Sequence, residues 1–207
     1  MRILFQGDSI TDTGRNREDF YDLGGGYPKY VAELLSQSGA ELEYINRGIS
    51  GDRTRDVYDR RQSDIFDLKP DIVTLLISIN DVWRIIDKRG EGITAEQSEA
   101  NIDMLLCDIK EKLPDAKLVL IEPFLLHGTA TDEYYEGFRS EAERRAEIIS
   151  RQAKKHGCRF VPLMHRLDEA AREKAPAELL LDGVHPTEAG HRLIAEELCA
   201  TLLELLQ

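Results

Sequence analysis

The chain of 207 residues has only three cysteines, Cys107, Cys158 and Cys199, far apart and without Cys-x-x-Cys spacing. An odd, scattered set argues against a disulfide framework and against a cysteine-held zinc site. The three thiols are expected to be reduced and buried. No segment approaches the roughly 20 apolar residues of a membrane span. Met1-Arg2 runs straight into a short strand and a polar loop, which is not the pattern of a secretory leader. The expectation is a cytoplasmic protein with no membrane partner. Positive charge is also in short supply, with 27 Lys and Arg against 39 Asp and Glu, a net of −12. That balance argues against nucleic acid as a main partner. Repeats, linkers and low-complexity tracts are missing too. The glycine run Gly24-Gly25-Gly26 lacks the Lys-Ser/Thr of a phosphate loop and does not directly follow a strand. It reads as a flexible entry to a helix at Tyr27.

What is present is ordinary for a globular protein, with 42% hydrophobic and 32% charged residues. The length suits one domain over residues 1–207 with a core that needs no cross-links. Five short, nearly continuous Val/Ile/Leu-rich runs read as strands covered on both faces: 2–6, 42–46, 71–78, 117–122 and 159–163. Helical patterns lie between them at 27–38, 53–66, 95–113 and 134–156, and a last one follows Pro186 and runs to Leu206. Such alternation predicts a three-layer α/β/α sandwich on a mostly parallel five-stranded sheet.

Ligands of such sheets gather outside the carboxyl ends of the strands, so those loops matter most. They read Gly7-Asp8-Ser9 after the first strand, Asn46 to Asp52 after the second and Ile79 to Arg84 after the third. Leu181-Asp182-Gly183-Val184-His185-Pro186 precedes the final helix. A serine hydroxyl is a poor nucleophile at neutral pH and needs a base. His185 can serve, and Asp182, three residues earlier, can fix its tautomer and stabilise its charged form. The oxyanion formed by attack on a carbonyl needs preorganised donors. Candidates are the backbone N–H groups of Ser9 and Gly51 and the side-chain amide of Asn80.

These blocks resemble those of the SGNH hydrolases, the GDSL esterase/lipase superfamily, from residue 5 to residue 191. The resemblance implies a flavodoxin-like fold and a catalytic triad of Ser9, Asp182 and His185. It implies an oxyanion hole made by Ser9, Gly51 and Asn80, and neither metal nor cofactor. "GDSITDTGR", "NRGISGDRTRDV", "INDVWR" and "DGVHPTEAGH" look more narrowly like intracellular acetylxylan esterases. The implied substrate is a small acetylated carbohydrate, such as an acetylated xylo-oligosaccharide. One position departs from the family pattern. The third block usually reads Gly-x-Asn-Asp, and Ser78 stands where that glycine would be, with consequences expected for the Asn80 loop or the acyl side of the pocket.

Trp83 reads either as a core ring or as an apolar platform for a sugar face. Arg84 beside it suits sugar hydroxyls or a surface acid, and both are carried as substrate-binding candidates. His127, His156, His165 and His191 lack ligand spacing and read as structural, with His127 at the edge of the fourth strand. Competing functions are a short-chain esterase, lysophospholipase or thioesterase of the same superfamily. More distant are a non-catalytic binding module and a metal phosphohydrolase using Asp8, Asp12 and Asp182. The sequence leaves oligomeric state open, and a homo-oligomer is compatible with it.

Overall fold

A computed structural model describes residues 1–36, 38–88 and 90–206. Its strands are β1 (Arg2–Gly7), β2 (Glu43–Asn46), β3 (Ile72–Leu76), β4 (Lys117–Ile121) and β5 (Arg159–Val161). They form one sheet in the order β2-β1-β3-β4-β5, and every pairing is parallel. This is the flavodoxin-like order, whose topological switch lies between β1 and β3. Nine α-helices lie among the described residues. The first five are α1 (Ser9–Asp12), α2 (Tyr27–Leu35), α3 (Thr54–Asp59), α4 (Ile79–Ile86) and α5 (Ala95–Lys112). Then come α6 (Tyr135–His156), α7 (Met164–Ala170), α8 (Pro176–Leu179) and α9 (Glu188–Leu206). None is long and apolar enough to cross a membrane.

Strand periodicity sorts the core into two layers. Ile3, Phe5, Val119 and Ile121 face one side with residues of α2 and α9, among them Val31, Leu35, Ile194 and Leu198. Leu4, Val73, Leu75, Leu118 and Leu120 face the other with Val57 of α3 and Ile102, Leu105 and Ile109 of α5. Burial on both faces is why these strands read as unbroken apolar runs rather than alternating ones.

Three expectations need correction. The helix expected over 53–66 is broken at Arg60, after which Gln62–Phe66 forms a π-helical turn. Side-chain demand accounts for the break. The Arg60 guanidinium bonds Asp52, Asp64, Gln6 and the Arg47 carbonyl at 2.6–2.8 Å, tying the end of β1 to the loop after β2. Ile79 to Arg84, expected as a loop, is the helix α4. Its Ser-Ile-Asn-Asp start carries turn-forming residues, but Ile79 and Val82 are buried at helical spacing. The last helix follows Pro186 as expected but starts at Glu188, so the proline lies outside its first turn, and the Thr187 hydroxyl accepts the Gly190 N–H at 3.2 Å. Of the three thiols Cys199 is buried, Cys158 half-buried and Cys107 exposed, and all three are free. Gly26 packs its main chain against Thr13, so the glycine run is a close contact and not a loose entry.

Candidate active site

Ser9 leaves β1 as the first residue of α1, and its turn is set by its neighbours. Gly7 passes so close to Thr11 and the Leu76 carbonyl that a Cβ would lie 2.3–2.4 Å from both. Asp8, fully buried, caps α1 by accepting the Ile10 N–H at 3.0 Å. Burial pushes the Asp8 carboxyl up to about 7.

His185 comes from the far end of the chain. Ser9 Oγ lies 3.0 Å from His185 Nε2, and His185 Nδ1 lies 2.7 Å from Asp182 Oδ2. An Nδ1–H donated to the carboxylate leaves Nε2 as acceptor for the serine O–H. The other Asp182 oxygen accepts the main-chain N–H groups of Val184 (2.9 Å) and His185 (2.8 Å). Burial alone would raise the Asp182 carboxyl, but its bonds from His185 and Val184 outweigh that and hold it at about 2. The bond to Asp182 raises the His185 imidazole above its ordinary value, against an opposing effect of burial. A hydroxyl bonded to a base, itself oriented by an anion, is an arrangement that can activate oxygen for attack on a carbonyl.

Gly51 lies in the loop after β2 and Asn80 in the first turn of α4, after β3. Gly51 has φ 86°, a conformation that costs a side-chain-bearing residue strain. Four neighbours hold this loop. Asp12 accepts the Ser50 N–H (2.9 Å) and O–H (3.0 Å), and Arg84 donates to the Gly51 carbonyl at 2.8 Å. Asn80 donates one amide hydrogen to the Asp52 carbonyl at 3.1 Å, which leaves its second for another acceptor. Asp81 accepts the Thr54 N–H at 2.9 Å. Asp12 was singled out from the sequence only as a possible metal ligand, and the loop-holding roles of Asp12, Asp81 and Arg60 were not. They act through distant loops, and no local spacing announces them.

Trp83 is half-buried against Phe138, with ring centres 6.0 Å apart, and its ring centre lies 5.7 Å from that of His185. It is both part of the core wall and a neighbour of the catalytic edge. Arg84 pairs with Glu91 at 3.0 Å besides holding Gly51. His127 borders the Asp182 loop: its own loop donates the Leu126 N–H to the Gly183 carbonyl and the Ala130 N–H to the Asp182 carbonyl, both at 2.9 Å. Its ring stacks on Tyr135 with centres 3.5 Å apart and bonds Asp132 at 2.8 Å.

Asp8, Asp12 and Asp182 do not gather as metal ligands. Among the described residues the one group of ligand types within 4.8 Å is Asp103, Cys107 and His156. It joins the middle of α5 to the end of α6, and its Asp103 oxygen already bonds Lys155 and His156 at 2.6 Å each.

The family of GDSL-like lipases and acylhydrolases matches residues 5–193. The chain belongs to that family. It is a carboxylic ester hydrolase of the SGNH type. An acetylxylan esterase of Geobacillus stearothermophilus is 34% identical over 203 residues, 94% of this chain and 90% of that protein. A crystal structure of an acetylxylan esterase from that organism superposes with a TM-score of 0.87 at 31% identity, covering 96% of this chain and 92% of the other. An α/β-hydrolase enzyme from the metagenome of Lake Arreo, Spain, gives a TM-score of 0.89 at 29% identity, covering 100% and 96%. Catalytic mutants of the Geobacillus enzyme replace a serine, an aspartate and a histidine three residues after that aspartate.

Proposed function

We propose that this hydrolase removes O-acetyl groups from small carbohydrates, foremost acetylated xylo-oligosaccharides, with Ser9 as nucleophile, His185 as base and Asp182 as its orienting acid. The observation that carries the reading is the unbroken hydrogen-bonded line from Ser9 through His185 to Asp182. Its Asp-x-x-His spacing matches that of the aspartate and histidine replaced in the Geobacillus catalytic mutants. That relative is described as an acetyl-xylooligosaccharide esterase, which supports the substrate class.

The chemistry follows from the geometry. His185 Nε2 takes the Ser9 proton as Oγ attacks the acetyl carbon, and the carbonyl oxygen becomes an oxyanion facing the Ser9 and Gly51 N–H groups and the free Asn80 amide hydrogen. The imidazolium, stabilised by Asp182, returns the proton to the departing sugar oxygen and leaves an acetyl-serine. Water, deprotonated by the same imidazole, attacks that ester, and acetate departs as Ser9 regains its proton. No cofactor enters any step.

We place the enzyme in the cytoplasm, where imported oligosaccharides rather than polymeric xylan reach it. The test is a panel of acetyl, butyryl and octanoyl aryl esters with acetylated xylo-oligosaccharides and polymeric acetylxylan, each with and without chelator. The expected result is chelator-resistant hydrolysis that favours acetyl groups and oligosaccharides and disappears in Ser9→Ala. A preference for octanoyl esters overturns the substrate class alone. Turnover that survives Ser9→Ala overturns the mechanism.

A further inference from the structure

The one departure from the family's third block is built into a buried polar chain. Ser78 has φ 103° and ψ −13° and is fully buried, so its Cβ stands in a region that glycine occupies without strain. Its hydroxyl does not cap α4. Ser78 Oγ lies instead 3.3 Å from Oγ of Ser98, itself fully buried on α5. The Ser98 hydroxyl also favours the charged form of the buried Asp81 carboxyl, against the opposing effect of burial. Both oxygens of that carboxylate are engaged by Thr54, one by its N–H (2.9 Å) and one by its O–H (2.8 Å). Asn101 of α5 donates to the same Thr54 oxygen at 3.1 Å.

Buried polar contacts therefore link the end of β3 to α5 through Ser78 and Ser98, α5 to the first residue of α3 through Asn101 and Thr54, and α3 to α4 through Thr54 and Asp81. Thr54 lies three residues after Gly51, and Asp81 directly follows Asn80. Consecutive residues of α4 grip one loop at two points, Asn80 at the Asp52 carbonyl and Asp81 at Thr54. Turning Asp81 out of place would turn Asn80 with it. Oxyanion donors tolerate little such error, since a displacement of about 1 Å can cost about 10²-fold in rate.

We propose that Ser78, Ser98 and Asp81 are positioning residues that fix the Asn80 amide relative to Gly51. Ser78 contributes a hydroxyl that contacts Ser98, from a backbone position that glycine would occupy without strain. The inference rests on Gly51 and Asn80 being the oxyanion donors.

The experiment measures kcat and KM on an aryl acetate, with melting temperatures, for Ser98→Ala, Ser98→Thr, Ser78→Gly and Asp81→Asn, the first two also in an Asn80→Ala background. Ser98→Ala is expected to lower kcat about tenfold, within the cost of a sub-ångström misplacement, and to leave KM nearly unchanged. Ser98→Thr, which keeps the hydroxyl, should restore most of the loss. Ser78→Gly should melt no lower than wild type because strain is relieved, yet lose kcat because the hydroxyl is gone. Once Asn80 is removed, Ser98→Ala should cost little more, as expected of residues acting through one group. Asp81→Asn carries the largest loss, and the serine variants decide the matter if it fails to fold. Lower melting temperatures with wild-type kcat overturn the proposal, as does an undiminished Ser98→Ala effect in the Asn80→Ala background. A full Asn80→Ala rate overturns the oxyanion reading instead.

Discussion

Asp182 and His185 sit three residues apart in a short loop whose ends, Leu180 and Pro186, are bridged, and the loop is closed by a 2.7 Å bond from the Leu181 N–H to the His185 carbonyl. Gly51 and Asn80 follow different strands, and the segment from Ser50 to Thr54 is held by Asp12 of α1, by Arg84 and Asp81 of α4, and by Arg60 after α3. On the proposed mechanism, the acid–base half of the site is thus a local structure, and the oxyanion half is a tertiary one. A local loop keeps its internal geometry when a distant contact is lost. A donor set assembled from several elements inherits the errors of each.

That contrast ranks the substitutions. Asp182→Asn should be the most damaging short of losing Ser9 or His185, because an amide there favours the wrong imidazole tautomer, at a cost of about 10⁴ in kcat. Stopped assays on an aryl acetate measure it, and a loss below tenfold would show that the loop does not depend on its acid. Asn80→Ala should lower kcat by about 10²–10³ with KM little changed, since the amide matters most in the transition state. A rise in KM at constant kcat would make Asn80 a binding residue.

A pH profile separates the halves in another way. His185 must be neutral to act as base, and its raised pKa places the acid limb of kcat/KM above the ordinary imidazole value of about 6.5. Activity is therefore present above that limb and lost as pH falls through it. Asp182, held at about 2, stays ionised throughout and cannot be the titrating group. Asp182→Asn should move the limb down. Asp8→Asn, which keeps the cap of α1 but removes a more weakly coupled carboxylate, should move it down less. Equal shifts would contradict the local character of the Asp182 contact.

The smallest effects concern the rim. Arg84→Met frees the Gly51 carbonyl and should lower kcat several-fold on oligosaccharide and aryl acetate alike. Trp83→Ala should harm the oligosaccharide more, because only a sugar would lie on the ring. A loss confined to oligosaccharide for Arg84→Met would make that arginine a sugar ligand.

The same contrast explains what the sequence made legible. Strand positions and the parallel sheet follow from apolar runs that need burial on both faces. The Asp182/His185 pair and Ser9 are visible because their motif is short and contiguous. The break at Arg60 was hidden, since a half-buried guanidinium with partners on β1 and after β2 leaves no trace in the helical periodicity of 53–66. Helix α4 was hidden by turn-forming residues whose side chains are spent on other loops. Ser78 could be seen as a departure, but its partner Ser98 could not, because only the packing of α5 on α4 brings the two hydroxyls together.

Ser9 and His185 are separated by 176 positions along the chain. During synthesis the serine emerges well before the proposed base, and domains fold as their chain becomes available. A nascent chain that stops short of residue 185 carries an oxygen with nothing to take its proton. On the proposed mechanism, hydrolysis begins only once the loop before α9 has closed on the end of β1. In a refolding experiment, regained turnover would time that last closure rather than the collapse of the core.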